Sequence, residues 1–337
     1  MLDLIRELCK IPSVSGREEK LRAFIISKID GYCEYEVDPN GNLICFKKGK
    51  KRPAKKIMVD AHMDEVGIIV SYIGANGFIK FQTVGGIDPM VMLGRKVVFE
   101  NGTVGVVGVK PVHMLSGDEK KAVPKTDGLY IDIGAYSKEE AEEKVSVGDV
   151  GVFYSQPLDL DADKLLARGI DDKAGVCVLI SILQLDAEYD FYATFSVQEE
   201  VGLRGAKTAA YTVSPDAAVI LEATTAADIY GVAKDSQVCR LGGGPAISFM
   251  DKSTMYNKKL FDFGDAIPVR HQVKQYVSGG NNAGAVHLTK SGVPTLTVSL
   301  PTRYIHSPSC VASYRDLEDM QKFSLALIEA LAAGEVL

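Results

Sequence analysis

Five residues combine side chains that can hold a divalent cation with positions that could bring them together: His62, Asp171, Glu200, Glu222 and His306. Each stands at the end of a predicted strand or just before a predicted helix. His62 closes the run Lys56–Ala61, Glu199 and Glu200 follow Phe191–Val197, and Glu222 follows Ala217–Leu221. His306 lies beyond Thr295–Leu300, and Asp171 precedes a helix predicted over Asp172–Leu185. Sites in open α/β sheets assemble at the carboxyl ends of strands.

Two imidazoles and three carboxylates suit a pair of zinc-like ions, with no cysteine required. A further carboxylate beside such ions could act as general base on a water. Each element also has an ordinary reading by itself. His62-Met63-Asp64 could be a capped loop, Asp171-Asp172 a helix N-cap, Glu199-Glu200 a solvated pair and His306 a hydrogen-bonded loop residue. Jointly these readings strain, because carboxylates at the ends of buried strands need neutralising by cations or protons.

The elements that must position these residues alternate. An opening helix is read from Leu21, Phe24, Ile25 and Ile29, with Ser15 and Glu18 spaced as a capping box. After Pro157, helices and strands take turns: a helix over Leu203–Tyr211, another over Asn282–Ser291 and a closing one over Asp316–Leu331. This pattern argues for an α/β sheet flanked by helices. The stretch 67–155 has a different texture, with β-rich runs around Gly74–Gly77 and Asn101-Gly102, which are hairpin signals. It reads as a small β-barrel inserted into one α/β domain made of residues 1–66 and 156–337. No catalytic residue is evident in the insert, which suggests a scaffold.

The net charge of -6 excludes a strongly basic nucleic-acid binder. The cluster Lys47-Lys48-Gly49-Lys50-Lys51-Arg52 falls between two predicted strands and reads as a solvated hairpin tip. Six cysteines without a Cys-x-x-Cys pair, several in apolar runs, read as buried thiols in a reducing compartment. The charged N-terminus does not read as a secretory signal, and no apolar stretch suggests a membrane span. The expected location is the cytoplasm.

Four segments carry a family resemblance over nearly the whole chain. They are Ala61-His62-Met63-Asp64-Glu65, Gly169-Ile170-Asp171-Asp172-Lys173-Ala174-Gly175, Val197-Gln198-Glu199-Glu200-Val201-Gly202 and Arg303-Tyr304-Ile305-His306-Ser307-Pro308. With them the chain resembles the TET-type tetrahedral metallo-aminopeptidases, metallopeptidase family forty-two, which includes glutamyl and deblocking enzymes. The resemblance implies a zinc-peptidase-like catalytic domain and a PDZ-like dimerisation insert, with dimers assembling into a tetrahedral homododecamer. It implies an aminopeptidase acting on short peptides with two divalent ions per chain, zinc or cobalt. By the same resemblance His62 and Glu222 hold one ion, Glu200 and His306 the other, and Asp171 bridges them. Glu199 is then the general base, and Asp64 orients the site from behind.

The chain departs from the family pattern in two places. The family often carries Asp where this chain has Glu222, and Gly-Gly-Thr-Asp where it has Gly279-Gly280-Asn281-Asn282. The second departure removes a carboxylate near the expected substrate pocket. Two alternatives stand beside the aminopeptidase: a silent peptide-binding or assembly protein on the same scaffold, and a glucanase, since some family members bear that name. A typical glycosidase needs two carboxylic acids and no histidine ligands.

Overall fold

A computed structural model describes residues 1–118 and 121–337. Helices α1 (Leu2–Lys10) and α2 (Glu19–Ile29) lead into strands β1 (Glu34–Val37), β2 (Leu43–Lys47) and β3 (Ile57–His62). The chain then makes six strands that close on themselves: β4 (Gly67–Ile73), β5 (Ile79–Val84), β6 (Lys96–Phe99), β7 (Val104–Gly108), β8 (Tyr130–Asp132) and β9 (Val150–Phe153). Their order around the barrel is β4-β5-β8-β7-β6-β9. Short helices α3 (Pro89–Met92) and α4 (Lys138–Glu142) lie between these strands. Alternation along β5 sends Ile79 and Phe81 inward, where they meet Val97, Phe99, Val107 and Ile131 in a core of the barrel's own.

Beyond the barrel come β10 (Leu158–Asp159), β11 (Lys164–Ala167), α5 (Ile170–Leu183), β12 (Phe191–Ser196), α6 (Arg204–Val213) and β13 (Ala217–Thr225). Then follow β14 (Ala246–Ile247), α7 (Lys258–Asp265), β15 (Gln272–Val273), α8 (Ala283–Val286), β16 (Thr295–Arg303), β17 (Cys310–Ser313) and α9 (Tyr314–Ala333). The large sheet runs β1-β2-β12-β3-β13-β16-β17-β11-β10. Strands β12, β3, β13 and β16 are parallel neighbours, so their carboxyl ends share one edge. All six residues of β3 are buried, as a strand covered on both faces must be. Helix α5 is buried along its full length, and α9 is capped by Ser313, whose hydroxyl accepts from the Asp316 amide at 3.2 Å.

Three local expectations change. Ser15 does not cap α2: its hydroxyl donates to Asp64 Oδ2 at 2.6 Å, and Glu18 turns to accept from the Gly16 and Gln198 amides. The Lys47–Arg52 segment is no hairpin tip, because β12 lies between β2 and β3. Lys47 is buried and donates to the Tyr32 and Leu183 carbonyls, while Lys51 and Arg52 pair with Glu188 and Asp190. The helix expected over Asn282–Ser291 shortens to α8, with turns leading to Lys290 at φ +52°. No helix among the described residues is long and apolar enough to cross a membrane.

Candidate metal and catalytic centre

The shared edge of β12, β3, β13 and β16 gathers the residues singled out above. His62 ends β3, Glu222 lies within β13, and Glu199 and Glu200 follow β12. Asp171 sits in the first turn of α5, where φ and ψ of -80° and 112° are still extended. His306 follows β16 in a left-handed conformation, φ +60°.

The Asp171 carboxylate lies between the two histidines. Oδ1 is 3.1 Å from His62 Nε2, and Oδ2 is 3.2 Å from His306 Nε2. Glu222 Oε1 is 3.4 Å from His62 Nε2, and Glu200 Oε1 is 3.3 Å from His306 Nε2. Four ligands around zinc at bonds of about 2.0–2.1 Å stand about 3.3 Å apart along a tetrahedron's edges. The spacing therefore fits two adjacent ions, with Asp171 facing both.

Backbone carbonyls settle which imidazole nitrogen carries the hydrogen. His62 Nδ1 is 2.9 Å from the Asp64 carbonyl, and His306 Nδ1 is 2.7 Å from the Gly86 carbonyl. A carbonyl only accepts, so both Nδ1 atoms donate and both Nε2 lone pairs turn toward carboxylate oxygens. Facing lone pairs need a proton or a cation between them. Burial opposes charge on His62, yet Glu222, Asp171 and Asp64 hold its pKa well above the ordinary value. Burial likewise opposes charge on His306, and Asp171 and Glu200 raise its pKa to about 11. Burial pushes Glu222 up to about 8. Burial and then the surrounding carboxylates raise Glu199 well above the carboxylate range. Among the described residues no lysine or arginine is paired with Asp171, Glu199, Glu200 or Glu222, and Glu200 Oε1 makes no hydrogen bond. The site is an excess of negative charge that divalent cations would satisfy.

Asp172 also approaches His62 and Glu222 closely enough to share an ion. Its two oxygens already accept from the Gly175 amide at 2.9 Å and the His62 amide at 3.3 Å. Asp171 is the better candidate for both positions. Asp64 lies behind the histidine, with Oδ1 accepting from the Glu199 amide and Oδ2 from the Glu200 amide.

Several contributors make contacts that the sequence does not announce. Gly86, which belongs to the inserted barrel segment, fixes His306 through its carbonyl. Ser15 and Glu18 tie the chain's opening to Asp64 and Gln198. Asn282 donates to Asp60 Oδ2 at 2.7 Å and to Ser196 Oγ at 2.9 Å, and Asn281 donates to Asp251 Oδ2 at 3.0 Å. These amides let carboxylates be buried behind the site; an acid at position 282 would confront Asp60. The pair Arg168 and Lys173 is committed to Glu65, which all but fills the space beneath Gly169.

The sequence pattern of the M42 glutamyl aminopeptidase family matches residues 41–323. A putative aminopeptidase of Acetivibrio thermocellus is 38% identical over 98% of both chains. The lysyl aminopeptidase of Pyrococcus furiosus is 32% identical over 98% of this chain and 97% of its own. The Pyrococcus horikoshii TET1 peptidase, whose structure is described as assembling into a tetrahedron or a large octahedral shell, superimposes with a TM-score of 0.82. It is 35% identical, with 98% of each chain covered.

Proposed function

The chain belongs to the M42 glutamyl aminopeptidase family, whose members are peptide-bond hydrolases that use divalent metal, and from that premise we propose that it is a binuclear aminopeptidase removing N-terminal residues from short peptides. One observation carries the two-ion reading: the two oxygens of Asp171 each face a different histidine, at 3.1 and 3.2 Å. His62, Glu222 and Asp171 would hold one zinc or cobalt ion, and His306, Glu200 and Asp171 the other. Bound there, the ions would supply Lewis acidity, polarising the scissile carbonyl and lowering the pKa of a water. Glu199 is the proton carrier in this reading: it takes a proton from the attacking water and delivers it to the leaving amine. Its burial among Glu222, Glu200 and Asp171 favours taking up that proton. Asp64 holds the main chain of Glu199 and Glu200 in place.

The reading extends to assembly and place. The barrel, as the core of an inserted domain 67–155, would pair two chains into a dimer, and such dimers would build a tetrahedral dodecamer. Val104 and Val106, side by side on the outer face of β7 and each 43% exposed, leave apolar side chains on the barrel's surface that support this role. Five of the six free thiols are buried, which fits a reducing cytoplasm.

The test is release of p-nitroaniline from aminoacyl substrates before chelation, after chelation, and after zinc or cobalt is restored. Activity should vanish with the metal and return with it, and an N-acetylated substrate should be cut far more slowly. Cellulose-derived oligosaccharides should remain intact. A chelated enzyme that keeps full activity would refute the metal assignment, and no activity on any aminoacyl substrate would favour a silent binding protein. Light scattering should report a particle many times the 36.4 kDa chain.

A further inference from the structure

Four consecutive backbone amides follow the end of β12, and side chains accept all of them. Asn42 Oδ1 takes the Val197 amide at 3.0 Å, Glu18 Oε1 the Gln198 amide at 3.1 Å, and the two oxygens of Asp64 those of Glu199 and Glu200. The carbonyls of Val197, Gln198 and Glu199 in turn accept the amides of Gly205, Arg204 and Leu203. Both edges of the main chain are engaged where it delivers the candidate base.

Gln198 is the strained member of this segment. Its φ is +56°, a left-handed conformation in a residue other than glycine. Such a backbone persists only where its surroundings hold it. The amide is held by Glu18, which is 3% exposed. The same oxygen accepts the Gly16 amide at 2.8 Å, and Ser15 of that turn donates to Asp64 Oδ2 at 2.6 Å. The turn ahead of α2 thus grips the segment at Gln198 and, through Asp64, at Glu200. Burial raises the Glu18 carboxyl to about 7. Protonated or not, it offers an oxygen that accepts, so its service is geometric rather than ionic. Without that oxygen a buried N–H would lack a partner. The segment could recover one only by moving, and Glu199 is the next residue.

Resting on the aminopeptidase reading above, we propose that Glu18 is a positioning residue for the reaction: by accepting the Gln198 amide it holds the left-handed turn that presents the Glu199 carboxylate to the attacking water and the leaving amine. Glu18 does not line the cavity beside the centre, so it acts through Gln198 and not on the substrate.

The metal-loaded full chain is assayed on aminoacyl p-nitroanilides as wild type, Glu18→Met, Glu18→Gln, Glu18→Asp, Glu199→Gln and the double variant Glu18→Met with Glu199→Gln. Glu18→Met fills the space without a comparable acceptor. Its kcat at saturating metal should fall about 10- to 100-fold, the scale for partners that orient groups at metal centres. KM should change little, because binding of the ground state is untouched. The variant should still hold about two ions per chain. Glu18→Gln keeps an oxygen in place and should recover most of the loss. Glu18→Asp keeps the charge but withdraws the oxygen by one methylene, so it should be slow like Glu18→Met. Glu199→Gln already lacks the base, so adding Glu18→Met should slow it little further, whereas a merely structural role would multiply the two losses.

Wild-type kcat in Glu18→Met overturns the proposal. So do multiplied losses in the double variant, a Glu18→Gln as slow as Glu18→Met, or loss of an ion from Glu18→Met, since the turn would then serve Glu200. If Glu18→Met does not fold, Glu18→Asp takes its place in each comparison. A wild type that cleaves no aminoacyl anilide overturns the aminopeptidase reading and this proposal together, while an active wild type with an indifferent Glu18 overturns the proposal alone.

Discussion

The Asp64 carboxylate accepts the backbone amide of Glu199 at 2.9 Å, and its other oxygen accepts that of Glu200 at 3.1 Å. One buried side chain thus fixes both members of the acidic pair, while the Asp64 carbonyl fixes His62. Asp64→Asn presents an amide NH₂ where one backbone N–H needs an acceptor. We expect its turnover to fall about 10- to 100-fold, the scale for partners that orient metal ligands. Titrating metal alongside kcat would check this: a variant with wild-type kcat at saturating metal would show that the contact is structural only.

Asp171 faces both histidines, whereas His306 belongs to one side of the pair. After reconstitution and dialysis, wild type should hold about two ions per chain on the two-metal scheme. His306→Ala should keep about one, and Asp171→Ala well below one. Elemental analysis of the three proteins decides it. Two tightly held ions in Asp171→Ala would remove the bridging role.

What could be read from the sequence follows from how each contact is made. His62 and Glu200 were legible because apolar strands announce their own ends, and a polar residue there stands out; Glu222 was legible as the polar residue that breaks the apolar run Ala217–Leu221, although β13 continues through it to Thr225. The barrel was legible through its turns. The partners of Asp64 and His306 were not. Ser15 meets Asp64 across 49 residues and Gly86 meets His306 across 220, the latter through a main-chain carbonyl that every residue type possesses. Ser15 and Glu18 had the spacing of a helix cap, and tertiary hydrogen bonds claimed both side chains instead.

Glu65 ties the loop after β3 to the start of α5. Burial works against its charge, but Arg168 and Lys173 outweigh burial and hold its carboxyl at about 2. The unfolded value is about 4.3. A depressed folded pKa gives stability that is present above the unfolded value and is lost as pH falls through the folded one. Urea unfolding of metal-free protein should therefore show wild type above Glu65→Gln by about 3–5 kcal/mol near neutral pH, since the variant leaves two buried cations unpaired. The gap should shrink between about pH 4 and pH 2. A gap independent of pH over that window would contradict the ion-pair account.

The assignment of Glu199 as base and Glu200 as ligand rests on where their oxygens lie. Glu200 Oε1 is 3.3 Å from His306 Nε2, within the spacing of a shared ion, whereas Glu199 has no such contact with either histidine among the described residues. Both line the cavity that would admit substrate. Glu199→Gln keeps size and hydrogen bonding but cannot take a proton. It should retain both ions and bind peptide while losing a factor of about 100 or more in kcat. Glu200→Gln should instead weaken metal binding, so that raising the metal concentration restores part of its activity. Calorimetric metal titrations run beside steady-state kinetics separate the two variants. Near-wild-type turnover by metal-replete Glu199→Gln, or metal-insensitive loss in Glu200→Gln, would reverse the roles.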